Sequence, residues 1–278
     1  MSTLPIPAEL LDELLDYDEE DEESSATHFD RMEDVFARLE TTPNRLGLAA
    51  AFWAEPQEPV RALGFDLLAV QAHQFDWHVQ PLIDAAAAVR LAGPAAAGVR
   101  LRRAAANALA CVLDDARVLE PLLRFAADPD AGVRWQVARG VPSVVDPLPP
   151  DAVRVLSGML KDEDSDVRDW AAFALGSREN DTPELRDALA RLLFDVDPDT
   201  AGEAASALAR RKDPRVLPVL QRMLGEPEVG HLYFEAAAEL ADPQLLPLLE
   251  RLEAEGAADR MLRSAIEACG GRARPEAD

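Results

Sequence analysis

Four histidines, two cysteines and a large surplus of acids are the groups with which this 278-residue chain could do chemistry. His73 and His78 stand near Asp76 at a five-residue spacing that could hold a metal. With Trp77 between them, that spacing suits a junction between helices better. No Gly-rich loop ending in Lys offers a phosphate cradle, and no Gly-x-Ser-x-Gly turn offers a nucleophile. Cys111 and Cys269 are too few for a disulfide framework and read as free thiols buried in a reducing cytoplasm. The sequence therefore predicts no catalytic residue, no metal and no cofactor. What remains is recognition chemistry. Trp135, Trp170, Phe173 and Phe234 fall among Asp169, Glu203 and Glu235, with Arg139 close in sequence. Exposed aromatics set among acids suit the docking of a basic partner.

The elements that must position these residues come from a phrase that returns seven times. Its consensus is close to Val-Arg-x-x-Ala-Ala-x-Ala-Leu-Gly, and the copies open at Val60, Leu101, Val133, Val167, Thr200, Leu232 and Met261. On a helix, positions one, five, eight and nine share one face. Position nine is apolar throughout, and position five is Ala in most copies, which lets neighbouring helix backbones come close. Gly at position ten (Gly176, Gly270) suits a left-handed helix end. Upstream of most copies runs a second helical pattern of Leu pairs, as in Leu189 with Leu192 and Leu193. Prolines in these first helices need a kink or a first-turn position. Acidic turns such as Asp128-Pro129-Asp130, Asp162-Glu163-Asp164 and Asp197-Pro198-Asp199 can cap the helix that follows.

Two antiparallel helices per 32 to 34 residues, with Asp in the turn and Val-Arg opening the second helix, resemble the HEAT repeat. The likeness is greatest to the short bacterial PBS-lyase-type repeats. Asp130, Val133 and Arg134, then Asp164, Val167 and Arg168, carry it with the Ala-rich runs that follow. It covers roughly residues 43–271 and is strongest over 114–241. The resemblance implies an all-α fold, a right-handed α-solenoid of about seven stacked helix pairs whose second helices line a concave side. Such a unit cannot bury its apolar face alone and folds by stacking on its neighbours. Positions three, four and seven vary between copies, as an exposed face does. That places Trp135, Arg139, Asp169, Trp170, Phe173, Glu203, Phe234 and Glu235 as candidate partner-binding residues. The competing reading is that the aromatics fill gaps between repeats.

Some families of similar architecture are enzymes. In deoxyhypusine hydroxylase-like proteins, His-Glu dipeptides hold two irons. None of His28, His73, His78 and His231 precedes Glu, so that site is absent. HEAT-like alkylpurine DNA glycosylases need a basic groove, whereas this chain carries a net charge of −24 that repels phosphate. Nucleic-acid binding is not expected. A bilin lyase-like activity, or a small-molecule pocket around Trp170, stays open as the rival reading.

The arginines at position two (Arg61, Arg102, Arg134, Arg168) form a column. It reads either as a cationic ladder for an acidic ligand or, preferably, as structural pairing of Arg134 with Asp130 and Arg168 with Asp164 at helical spacing. Glu239 is an acid at an inward position, which calls for a helix rotation or an arginine partner.

Half of the net charge lies in residues 1–40. The acidic run from Asp16 to Glu23 predicts a disordered tail over 1–27, although Leu10, Leu11, Leu14 and Leu15 could instead form a docking helix. Phe29, Met32, Val35, Phe36 and Leu39 predict a capping helix over 28–42, ahead of the solenoid at 43–271 and a disordered end at 272–278. Arginine dominates over the two lysines, a bias of GC-rich bacterial genomes. No secretory signal or membrane span is visible, so the expected location is the bacterial cytoplasm. The leading expectation is a non-enzymatic scaffold that binds a basic protein or peptide on its concave face. An immunity- or antitoxin-like inhibitor is its specific form.

Overall fold

The computed structural model describes residues 6–15, 45–69, 79–226, 228–256 and 260–272. Every regular element among the described residues is helical. The chain divides into two compact units, Met1–Asp146 and Pro147–Asp278. The first holds α1 (Ala8–Leu15), α2 (Arg45–Trp53), α3 (Glu58–Ala69), α4 (Val79–Ala92), α5 (Val99–Ala110), α6 (Leu119–Leu123) and α7 (Ala131–Val144). The second holds α8 (Pro150–Met159), α9 (Ser165–Gly176), α10 (Pro183–Leu192), α11 (Pro198–Arg210), α12 (Leu217–Met223), α13 (His231–Leu240), α14 (Leu246–Ala254) and α15 (Arg260–Ala268).

From α2 onward the helices pair, and the second helix of each pair carries the repeated phrase. These second helices stack directly. In the first unit α3 packs on α5 and α5 on α7; in the second, α9, α11, α13 and α15 follow in order. The contact is close because it is built from alanine. Ala105, Ala171, Ala204, Ala236 and Ala265 are all fully buried. Position nine is sealed as well, except in α13, where Leu240 is half-buried at the last helical residue. Gly176 does not serve as a left-handed cap. It lies inside α9, and a Cβ there would stand 2.9 Å from that of Ala207 on α11, so its role is close approach. Gly270 does adopt the left-handed conformation, at φ +95°.

The acidic turns have two parts. The second Asp is the helix N-cap: Asp130 accepts from the Val133 amide, Asp164 from Val167 and Asp197 from Thr200. The first Asp braces the turn: Asp128, Asp162 and Asp195 accept from the amides of Asp130, Asp164 and Asp197. The prolines of the later first helices occupy first-turn positions, where no helical hydrogen bond is lost.

The arginine column pairs differently from the sequence expectation. Arg102 reaches forward to the next turn, donating through Nε and Nη2 to Asp128 at 2.9 and 3.1 Å, while its Nη1 holds the Ala97 carbonyl of its own turn. Arg168 does the same with Asp195 at 2.9 and 2.7 Å and with the Asp162 carbonyl behind it. Arg134 donates to the carbonyls of Asp128 and Pro129. The pairings of Arg134 with Asp130 and Arg168 with Asp164 are therefore corrected. Asp130 accepts from the Val133 amide and from Arg103, and Asp164 accepts from the Val167 amide, while Arg168 instead spans two repeats.

The tail expected over 1–27 is corrected where it is described. Ala8–Leu15 is a helix resting on α3, and Ile6 and Leu14 are buried. The leucine spacing supplies an apolar face whose burial offsets the ordering entropy. The rest of that segment, the capping helix expected at 28–42, the His73 and His78 pair, and residues 273–278 lie outside the described residues.

The Arg102–Asp128 pair has side chains only 6% and 3% exposed. Truncating one partner strands a buried charge, so Arg102→Ala should cost about 3–5 kcal/mol of stability. Arg154→Ala, which breaks an exposed pair with Asp151, should cost less than about 1 kcal/mol. Urea unfolding of the two variants checks the contrast.

Candidate functional site

The predicted site residues fall into separate groups. In the first unit, Arg139 lies over the Trp135 ring at 5.3 Å and donates to Asn107 at 2.8 Å and Gln136 at 3.0 Å. Trp135 is thus a half-buried ring engaged by a cation of its own helix. Phe234, in the second unit, is buried at 4% exposure and offers no open ring. It belongs to the packing between α13 and its neighbours.

The remaining five gather in the second unit. Asp169, Trp170 and Phe173 come from α9, Glu203 from α11 and Glu235 from α13. Trp170 and Phe173 meet edge to face at 5.6 Å, with Phe173 41% exposed. Asp169 and Phe173 are four residues apart, on one face of α9. The stacking of second helices brings the three carboxylates within range of one another. Burial, together with the charges of Asp199, Asp197 and Asp166, pushes the Asp169 carboxyl up to about 6. Burial, then Asp169 and Glu235, pushes Glu203 up to about 7. One oxygen of Asp169 is sealed from solvent with no hydrogen-bond partner.

The cation that reaches this column is Arg210, which pairs with Glu235 and lies 3.5 Å from Glu239. Glu239 thereby has the arginine partner that its inward position called for. Arg210 lowers the Glu203 carboxyl less than burial and its acidic neighbours raise it. The surplus negative charge therefore falls on Asp169 and Glu203. Asp199 and Arg210 belong to the site electrostatically, although the variable positions of the phrase do not single them out. Their helical spacing from Glu203, four residues before and seven after, was the available signal.

A groove of about 420 Å³ elsewhere in the second unit looks equally polar, but its charges satisfy one another. Arg186 pairs with Asp181, and Arg215 pairs with Asp213 and Asp187. Among the described residues there is no cluster of three or more His, Cys, Asp or Glu arranged to hold a metal. No helix among them is long and apolar enough to cross a membrane.

A family model described as HEAT repeats matches residues 96–176 and 152–241, which is more than half of the chain. The chain belongs to the HEAT-repeat family. Protein YibA of Escherichia coli K12 is 34% identical over 124 residues, 45% of this chain and 43% of YibA. The chain thus spans less than half the length of that curated relative. In structure, the X-ray model of E. coli YibA aligns over 95% of this chain and 92% of its own, with a TM-score of 0.70 at 24% identity. An engineered protein aligns over 93% of this chain and 76% of its own, with a TM-score of 0.54 at 18% identity. These likenesses define the fold, an α-solenoid of a kind typical of protein-interaction scaffolds and usually non-enzymatic.

The carboxylate column has a thermodynamic signature. Asp169 and Glu203 hold protons more tightly in the folded state than in the unfolded chain. Between about pH 4 and 7 the native state therefore binds more protons, and the cluster's contribution to stability falls as pH rises through that window. Glu203→Gln should raise stability at pH 7.5 by on the order of 1–2 kcal/mol after allowance for partial exposure. The gain should vanish near pH 4. Chemical denaturation at the two pH values checks both the sign and the window.

Proposed function

We propose that this protein is a non-enzymatic interaction scaffold that binds a basic protein or peptide along the second-helix face of its C-terminal unit. The observation that carries the reading is the carboxylate column Asp169, Glu203 and Glu235 beside the half-buried Trp170 and the exposed Phe173. A guanidinium or ammonium entering there would offset the burial and the acidic charge that raise Asp169 and Glu203, and the aromatic rings would cover its aliphatic stem. The net charge of −24 would speed encounter with such a partner. The surface of Trp135 and Arg139 in the first unit would supply a further contact. In its specific form the protein would act in the bacterial cytoplasm as an immunity- or antitoxin-like inhibitor that covers a basic toxin.

The second reading is a lyase-like enzyme or small-molecule binder around Trp170. The raised carboxyls of Asp169 and Glu203 favour it, because a carboxylic acid that keeps its proton near neutrality can serve as a general acid.

The two readings separate on a basic peptide. An arginine-rich decapeptide titrated into the intact protein should bind in a salt-dependent manner, and a glutamate-rich control should not. Trp170→Ala should lose about 2–4 kcal/mol of that binding. Asp169→Asn or Glu203→Gln should chiefly slow association, with an effect that fades as salt rises. Folding stability is the control: a ring that only fills a gap between repeats would cost roughly 3–5 kcal/mol of stability on truncation. A Trp170→Ala variant that is destabilised to that degree, yet binds the peptide unchanged, would remove the ring from the site.

A further inference from the structure

The first member of the arginine column, Arg61, lacks the partners that its equivalents have. Arg102 and Arg168 each present Nε to an aspartate in the turn that follows, at 2.9 Å in both cases. That aspartate stands five residues before the opening residue of the next phrase: Asp128 before Val133, Asp195 before Thr200. Counting back from Leu101 places Ala96 at the same position, in the turn after α4. Arg61 therefore has no acid to meet there. Its Nε is buried and without a hydrogen-bond partner among the described residues. Among the described residues Glu58 is paired with Arg61 at 4.0 Å, and Glu58 accepts from the Gly98 amide at 2.9 Å. Glu58 is thus committed to the N-terminus of α5.

Beside Arg61 lies a cavity of about 140 Å³ lined by Trp53, Phe65, Ala85, Val89, Ala97 and Leu101, among others. Its origin is legible in α4. Where α6 and α14 carry Leu122-Leu123 and Leu248-Leu249, α4 carries the run Ala85 to Ala88 after Leu82 and Ile83, and alanine leaves space that leucine would fill. Trp53 and Phe65 form the opposite wall, 5.1 Å apart. The Trp53 indole N–H is a second buried donor without a partner. An apolar pocket of about this volume, open to solvent at Ala88 and Ala92, can take a single aromatic ring. Arg61 and Trp53 both line the cavity, and the Arg61 guanidinium is a charged fork that a carboxylate can engage.

We propose that this cavity is a binding site for a small apolar carboxylate of about the size of benzoate. Its carboxylate would take the place of the missing turn aspartate on Arg61, and its ring would lie against Trp53, Phe65 and the alanines of α4. The site belongs wholly to the N-terminal unit and is independent of the basic-partner surface.

The test titrates the full-length protein with benzoate and with benzyl alcohol, its neutral near-isostere, by calorimetry. Benzoate should bind saturably and at least tenfold more tightly than the alcohol. Arg61→Gln should abolish that preference. Ala96→Asp should supply the missing acid from within the chain, raise the urea midpoint and weaken benzoate at least tenfold. Ala85→Leu should fill the cavity and remove binding of both ligands, with the helical circular dichroism retained. Absence of saturable benzoate binding to the unaltered protein would overturn the site. So would benzoate affinity unchanged in Ala96→Asp and Ala85→Leu, and equal affinity for acid and alcohol would overturn the role of Arg61.

Discussion

A guanidinium that grips two successive turns is the interaction on which this structure most depends. Arg102 and Arg168 each hold a carbonyl of their own turn with one nitrogen and the first aspartate of the next turn with the others. That aspartate in turn braces the N-cap aspartate two residues on. One side chain therefore fixes the turn behind it, the turn ahead and the start of the next second helix. Stacking on alanine needs such a device. Alanine-to-alanine contacts bring backbones close but have little shape of their own to fix register, whereas a planar fork on a carboxylate is directional. In the first unit this ion pair is almost fully buried, where an imperfect geometry would cost more than the pair contributes.

That arrangement sorts the acids of the chain into two kinds. Turn aspartates are neutralised by arginine or by helix N-termini, and contact with Arg168 and the Asp197 amide lowers the Asp195 carboxyl. Asp169 and Glu203 sit on the same stacked helices, and burial, then neighbouring acids, raise their carboxyls against the lesser pull of Arg210 on Glu203. The stacking that stabilises the fold thus concentrates charge that destabilises it. A surface of that kind gains most from a partner that brings positive charge, which links the packing of the repeats to the proposed binding.

The fold was legible because a repeated phrase states the core face seven times over. Alanine at position five and aspartate at the N-cap each have one local reason to be there, and the structure uses both for it. Longer-range pairings were hidden. Helical spacing, the geometry that a sequence displays directly, points Arg168 to Asp164, while its partner Asp195 lies 27 residues on, at a distance set by the stack. Gly176 likewise answers to Ala207 on another helix and not to its own helix end. In the candidate site, the acids stand at position three in one copy and position four in two others, so their gathering depends on how the helices turn against each other. Phe234 looked like an exposed ring for the same reason, yet it is buried. The helix at Ala8–Leu15 was visible in its leucines but outweighed by the acidic run that follows them.

The central proposal is that Asp169 and Glu203, raised by burial and by neighbouring acids, are relieved when a basic partner binds. Carboxyl carbon NMR, following both groups through a pH titration with and without an arginine-rich peptide, tests this most directly. The account predicts midpoints near 6 for Asp169 and 7 for Glu203 in the free protein, with both falling toward ordinary carboxylate values, about 4, when the peptide is bound. Ordinary midpoints in the free protein, or raised ones that the bound peptide leaves in place, would contradict it.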